Sequence, residues 1–188
     1  MDTTLRFGDD RRADLEIQAI SLSGALPVGK GWTGRASIGA LLDGNVKPQG
    51  GAAHPFEPGG LISVGAERRV RENSGYAPSV DLSILLGVTW AKTKDPVTES
   101  LTNYSAADLR FGARAAWQVA RGLYPYVAAR VFGGPVNWEL DGEEVTGSDV
   151  HHYNLAVGAA AQLGPVGLFF EWAGLGEQGL YAGLGTAW

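Results

Sequence analysis

An alternation of apolar and polar residues along positions 108–132, DLRFGARAAWQVARGLYPYVAARVF, constrains the fold more than any other feature of the sequence. Starting at Leu109 every second residue is apolar, whereas Arg110 and Arg114 lie in the intervening set. Because successive side chains of a β-strand point to opposite faces, this period of two predicts a long strand with one apolar and one charged face. The alternation restarts after a turn at 121–122, so the stretch predicts a β-hairpin.

The same alternation recurs along most of the chain and predicts an all-β, antiparallel, up-and-down fold in a single domain. We expect ten strands, with eight as the alternative, because single-chain bacterial membrane barrels have an even number. The predicted strands are 3–8, 13–26, 32–43, 61–71, 80–91, two within 108–132, and then 152–163, 166–173 and 180–188. Longer irregular connections are expected at 44–60, 92–105 and 141–149.

The polarity of the strands predicts a closed transmembrane β-barrel. A soluble barrel of the lipocalin type is the structural alternative, and it would direct the apolar set inward and the arginines into water. Long strands, aromatic ends of the apolar face and arginine on the opposite face instead favour lipid outside and charge inside. No run of about 18 apolar residues is present, so the sequence predicts no transmembrane helix.

Composition restricts the partners and the compartment. The net charge of −5 over 188 residues argues against a nucleic-acid partner. The chain has no cysteine, which excludes disulfides and thiolate-bound metals. The first residues, MDTT, lack the basic and apolar regions of a signal peptide, and we expect a mature segment with an added start Met.

Over essentially its whole length the chain resembles the small outer-membrane β-barrel proteins of Gram-negative bacteria. The last predicted strand alternates through Leu180, Ala182, Leu184 and Thr186 and ends in Trp188, although Thr186 is a weaker match. This ending resembles the signal that the barrel assembly machinery reads. The resemblance implies a location in the bacterial outer membrane and contact with its lipid, and we expect a monomer.

Aromatic residues near the strand ends predict two girdles at the membrane interfaces. On the side of the long loops the residues are Trp90, Trp138, Tyr153 and Trp172, and on the opposite side they are Trp32, Trp117 and Trp188.

The inward face carries a nearly balanced set of charges, which predicts a polar, largely plugged lumen with a structural or surface-interaction role. An arginine at mid-bilayer on the lipid face would cost about 2–4 kcal/mol, which favours an interior position. The set is Arg35, Glu67, Arg69, Arg71, Asp81, Asp108, Arg110, Arg114, Arg130 and Glu171. The first alternative is a narrow, porin-like pore for small anionic solutes, lined by Arg110, Arg114 and Arg130.

A surface enzyme of the outer rim is the second alternative. His54, His151 and His152 fall in or beside predicted loops, and Asp149 lies close to the last two. These residue types occur in surface hydrolases, but their spacing matches no recognised motif. Adjacent side chains of an extended segment point apart, which disfavours a zinc site here. The sequence therefore predicts no enzyme, no metal site and no cofactor.

Overall fold

The structure is a computed structural model that describes residues 1–8, 11–140 and 142–186. These residues form one antiparallel sheet of thirteen strands. The strands are β1 (Asp2–Phe7), β2 (Arg11–Gly29), β3 (Trp32–Pro48), β4 (His54–Pro55), β5 (Gly59–Arg71), β6 (Ser79–Lys94), β7 (Leu101–Ala116), β8 (Leu123–Gly133), β9 (Val136–Leu140), β10 (Glu143–Asp149), β11 (Tyr153–Leu163), β12 (Val166–Gly176) and β13 (Gly179–Thr186). No helix long and apolar enough to cross a membrane occurs in this described part of the chain.

The predicted all-β antiparallel fold is confirmed, and strands occur where the alternation predicted them. The hairpin between β2 and β3 illustrates the local cause. Lys30 adopts a φ of 50°, between Gly29 at 95° and Gly31 at 78°. Glycine reaches such angles without steric cost, so the sequence Gly-Lys-Gly reverses the chain within a few residues.

Eight strands form a closed ring in the order β1, β2, β3, β5, β6, β7, β9 and β10. Strand β7 belongs to two sets of neighbours, because Tyr104 to Ala106 pairs with β9 whereas Leu109 to Ala116 pairs with β8. The sheet continues from β8 through β11 and β12 to β13. Strands β2, β3, β5, β6 and β7 extend through two sections of the sheet. We call the section that they form with β1, β9 and β10 the upper section, and the section that they form with β8, β11, β12 and β13 the lower section.

The three predicted loops contain strand residues and are corrected accordingly. Strand β3 continues to Pro48 and β4 lies within 44–60, while β6 and β7 extend into 92–105. Strand β10 occupies most of 141–149. The glycines, prolines and charges in these stretches suggested irregular structure, but cross-strand partners supply the backbone hydrogen bonds that stabilise strands there.

The described residues show no pairing between β2 and β13, the two edges of the lower section. The lower section thus comprises nine consecutively paired strands, namely β2, β3, β5, β6, β7, β8, β11, β12 and β13.

An apolar core fills the upper section. Leu5, Leu15, Leu41 and Val46 are buried there together with Trp138, whose side chain is 1% exposed. The indole Nε1–H of Trp138 donates a hydrogen bond of 2.9 Å to a threonine hydroxyl, which satisfies its polar atom inside the core. In this section the strands direct apolar side chains inward, as in a soluble barrel.

Candidate functional site

The lower section has the opposite polarity, and strand β6 shows this most clearly. Asp81 faces the interior and is 3% exposed, whereas Leu82, Ile84, Leu86 and Val88 lie on the outer surface. The period-two geometry of a strand places these two sets on opposite faces. A soluble barrel of the lipocalin type would have the reverse arrangement in this section.

Strand β7 carries the change of polarity within one element. Near its start Tyr104 points into the apolar core of the upper section and is buried. Further along the same face, Arg110 and Arg114 point into the lower interior and form ion pairs there. Leu109 and Phe111, on the opposite face, are exposed. The interior therefore changes from apolar to charged along a single strand.

The first charged cluster connects β3, β5, β6 and β7. Arg35 pairs with Glu67 at 3.0 Å, and Arg114 contacts the same carboxylate at 3.4 Å. A second nitrogen–oxygen pair joins Arg114 to Asp81 at 2.9 Å, and Arg69 donates to that carboxylate at 2.9 Å. Each carboxylate thus bridges two guanidinium groups, which fixes side chains from neighbouring strands in one network.

The second cluster joins β8 to β12. Both terminal nitrogens of Arg130 donate to the two oxygens of Glu171, each at 2.7 Å. This bidentate geometry is the strongest arrangement for an arginine–carboxylate pair. Arg130 also donates to the amide oxygen of Asn154 at 3.3 Å, and Asn154 is itself buried.

The third cluster lies where the charged interior meets the apolar core. Arg110 donates two hydrogen bonds to Glu177, at 2.9 and 3.0 Å, and another to Asp108. The Glu177 carboxylate also accepts from the Tyr181 hydroxyl at 3.3 Å. The guanidinium of Arg110 lies 4.6 Å from the ring centroid of Phe132, which adds a cation–π contact.

Glu177 is absent from the predicted inward set, although it is 1% exposed and accepts hydrogen bonds from β7, β11 and β13. It lies between β12 and β13, where the sequence LGEQG at 175–179 indicates a turn. The charge count of the predicted inward set could have indicated a further acidic residue, because this set contained more arginines than carboxylates. An excess of buried arginine requires a further carboxylate partner.

The three clusters are electrically balanced. They contain five arginines, Arg35, Arg69, Arg110, Arg114 and Arg130, and five carboxylates, Glu67, Asp81, Asp108, Glu171 and Glu177. Arg71, which the sequence also placed inside, is exposed near the end of β5 and forms no ion pair among the described residues. A register shift lies between Arg69, which is opposite Asp81, and Arg71, which is opposite Val80.

The aromatic residues predicted as girdles have different positions. Trp32, Trp90, Tyr153 and Trp172 are exposed on the outer surface, and Trp117 is half-buried just after β7. The prediction was wrong for Trp138, because β9 pairs with β7 and turns this indole into the upper core. Trp188, with its predicted assembly signal, lies outside the described residues.

Two cavities adjoin the charged clusters. The upper one, of about 490 Å³, lies between apolar residues such as Leu15 and the polar groups of Arg110 and Glu177. The lower one, of about 550 Å³, is lined by Arg114, Arg130 and their carboxylate partners. Arg114 Nε is buried and has no hydrogen-bond partner in the described part of the chain.

The three histidines do not converge. His54 is buried against Trp138, with ring centroids 5.1 Å apart, and belongs to the upper core. The backbone N–H of His151 donates to Asp149 at 2.6 Å, and His152 is exposed. Over the described ranges, no group of three or more histidine, cysteine or acidic side chains is arranged to hold a metal ion.

The Asp95 carboxylate, between β6 and β7, accepts backbone hydrogen bonds from Thr98 at 2.7 Å and Val97 at 2.8 Å. These bonds hold the pKa of Asp95 below its ordinary value, because they stabilise the charged form.

Comparison of the chain with protein-family models, with curated proteins and with solved structures finds no match.

Proposed function

We propose that the chain is a monomeric β-barrel protein of the bacterial outer membrane, with a structural or surface-interaction role. In this proposal the lower section spans the bilayer as part of a closed, ten-stranded barrel. The upper section stands in water beyond the membrane. The lumen is polar, held by ion pairs, and does not conduct.

The change of polarity between the two sections carries the proposal. The outward apolar face of β6 extends from Val80, which is half-buried, to the exposed Trp90, and neighbouring strands present Val64 and Leu109 beside Leu86. The ten steps from residue 80 to residue 90, at about 3.3 Å each, span about 33 Å along the strand. A tilt of about 40° reduces this to a height of about 25 Å, which matches the apolar band of outer-membrane barrels.

The outer surface of β6 and β7 becomes polar toward the upper section. This supports the placement of the lower section in lipid and of the upper section in water. After Trp90 the outward positions of β6 become Lys92 and Lys94, and those of β7 include Asn103. Indole rings favour the membrane interface, and lysines favour the water beyond it. In water, an apolar band of this extent would instead favour aggregation.

The balanced ion pairs support a lumen without conduction. Arg110 and Arg130 each hold a carboxylate in a bidentate pair, so these guanidinium groups are not free to bind passing anions. Opening a path would require separating partly buried charges, and removing one partner of such a pair typically costs about 3–5 kcal/mol.

A narrow pathway for small anions is the second candidate function. One observation favours it: Arg114 and Arg130 line the lower cavity, and Arg110 lines the upper one. The ion pairs of these three arginines favour the non-conducting lumen instead.

Reconstitution tests both candidates. Refolded protein should float with phospholipid vesicles through a density gradient and remain with them after a high-salt wash. In a planar bilayer the same preparation should give no current steps. Protein that stays monomeric in buffer and does not bind vesicles refutes the membrane proposal. Reproducible anion-selective steps, lost in Arg114→Gln, would favour the second candidate.

A further inference from the structure

An open seam runs down the lower section between β2 and β13. The pairing of β1 with β2 ends at Glu16, so residues 18–29 of β2 have no neighbour on that side among those described. The described part of β13 pairs only with β12. Leu22 and Leu184, on the two edges, are 77% and 78% exposed. Unpaired edges with apolar side chains readily add a further strand.

The direction of the two edges determines what can close the seam. All pairs from β2 through β13 in the lower section are antiparallel, and nine strands lie between the two edges inclusive. With an odd number of strands, β2 and β13 run in the same direction. An up-and-down barrel closes antiparallel only with an even number, so one additional strand completes it.

Strand β1 marks the position of that strand at the upper end of the seam. Asp2 pairs with Glu16 of β2 and also bridges to Gln178 beside β13. Two backbone hydrogen bonds, of 2.8 and 3.0 Å, join Asp2 to Gln178. A segment that continues β1 backwards past Met1 would run down the seam, antiparallel to both edges.

The two registers agree on the faces of such a segment. We number the residues of such a segment from the one next to Met1 outward. The pair of Asp2 with Glu16 then places the third added residue opposite Ile20 and the fifth opposite Leu22. Counted from the bridge of Asp2 to Gln178, the same positions lie opposite Ala182 and Leu184. Paired residues share a face, and Ile20, Leu22 and Leu184 all point outward.

We propose that the seam accepts one extended segment of a separate partner polypeptide, about ten residues long and in line with β1, with apolar side chains at its odd positions counted away from Met1 and small or polar side chains between them. This rests on the proposed function, because outward apolar positions are favourable only against lipid. The occupant supplies the tenth strand that closes the lower section. Edge pairing supplies its affinity, and the alternation of its side chains sets its register.

Cross-linking tests the register. The chain has no cysteine, so a disulfide can form only between the engineered cysteines. An alternating ten-residue segment is joined to Met1, which supplies it at high effective concentration, with cysteine at its third position. This cysteine is combined with Ile20→Cys or with Ala182→Cys. Directly opposed strand residues have Cβ atoms about 4.5–5.5 Å apart, a separation from which small adjustments permit a disulfide.

We expect cross-links in both variants and their loss with Ser21→Cys, the adjacent position on the other face. A segment of the same composition shifted by one residue should also lose them. Absence of both cross-links, or equal cross-linking with Ser21→Cys, overturns the proposal. Vesicle flotation of the same variants separates the two proposals. Flotation without cross-links rejects only the proposal that the seam accepts a strand. Cross-links without flotation reject only the proposal that the lower section spans a membrane.

Discussion

A matched pair of arginine substitutions tests which solvent surrounds the lower section. Leu86 and Leu101 are 50% and 52% exposed, so both accept a long side chain without steric conflict. Leu86 lies near the middle of the apolar band, between Val64 and Leu109. Leu101 begins β7 in the upper section, opposite Lys94.

In lipid the two substitutions should differ strongly. An arginine on the lipid face near the midplane of a barrel costs about 2–4 kcal/mol, whereas near or beyond the interface it costs about 0–1. Leu86→Arg should therefore reduce the ratio of folded to unfolded protein by about 30-fold to 900-fold. Leu101→Arg should be close to neutral. In water, both surface substitutions should change stability by less than about 0.5 kcal/mol.

Equilibrium unfolding in guanidinium chloride, with protein folded into phospholipid vesicles, measures the difference. The free energy of unfolding follows from the transition midpoint and slope, and an unchanged slope shows that the comparison is valid. Equal effects of Leu86→Arg and Leu101→Arg would refute the assignment of the apolar band to lipid. A larger loss for Leu101→Arg would reverse the orientation that we infer.

Three further results are expected. Glu171→Leu should lower the free energy of unfolding by about 3–5 kcal/mol, because it leaves the charge of Arg130 without its bidentate partner. Combining Glu171→Leu with Arg130→Met should restore much of this loss. A double variant that is no more stable than Glu171→Leu would contradict the pairing. Trp138→Ala should cost about 3–5 kcal/mol by emptying the upper core, measured by denaturant unfolding, and a neutral result would contradict its burial. The folded-state pKa of Asp95 is lowered, so its stabilising effect is present above the unfolded pKa and is lost as the pH falls through the folded value. An NMR titration should show a low midpoint in the wild type that rises toward the ordinary value in Thr98→Pro, which removes one of the two backbone N–H donors and leaves that of Val97; an unchanged midpoint would contradict this cause.

The positions of the strands were predictable because alternation is a local property. Strand β6 was predicted at 80–91 and extends from Ser79 to Lys94. The short strand at 3–8 was included because parity required it, and β1 is present there. Where the local pattern was weak the prediction failed, as in 141–149, because β10 depends on its partners β1 and β9.

The sequence by itself determined the antiparallel all-β class and the two faces of the strands whose alternation is clear, because a period of two is visible within such a strand without knowledge of its neighbours. The tertiary structure alone decided which residues meet across the interior. Glu177 reaches Arg110 over a separation of 67 positions, and Trp138 reaches Thr93 over 45. Such contacts depend on the order and register of pairing, and a residue pattern within one strand does not encode them. The same reason explains the change from an apolar to a charged interior along β7, since each half of that strand acquires its environment from a different neighbour.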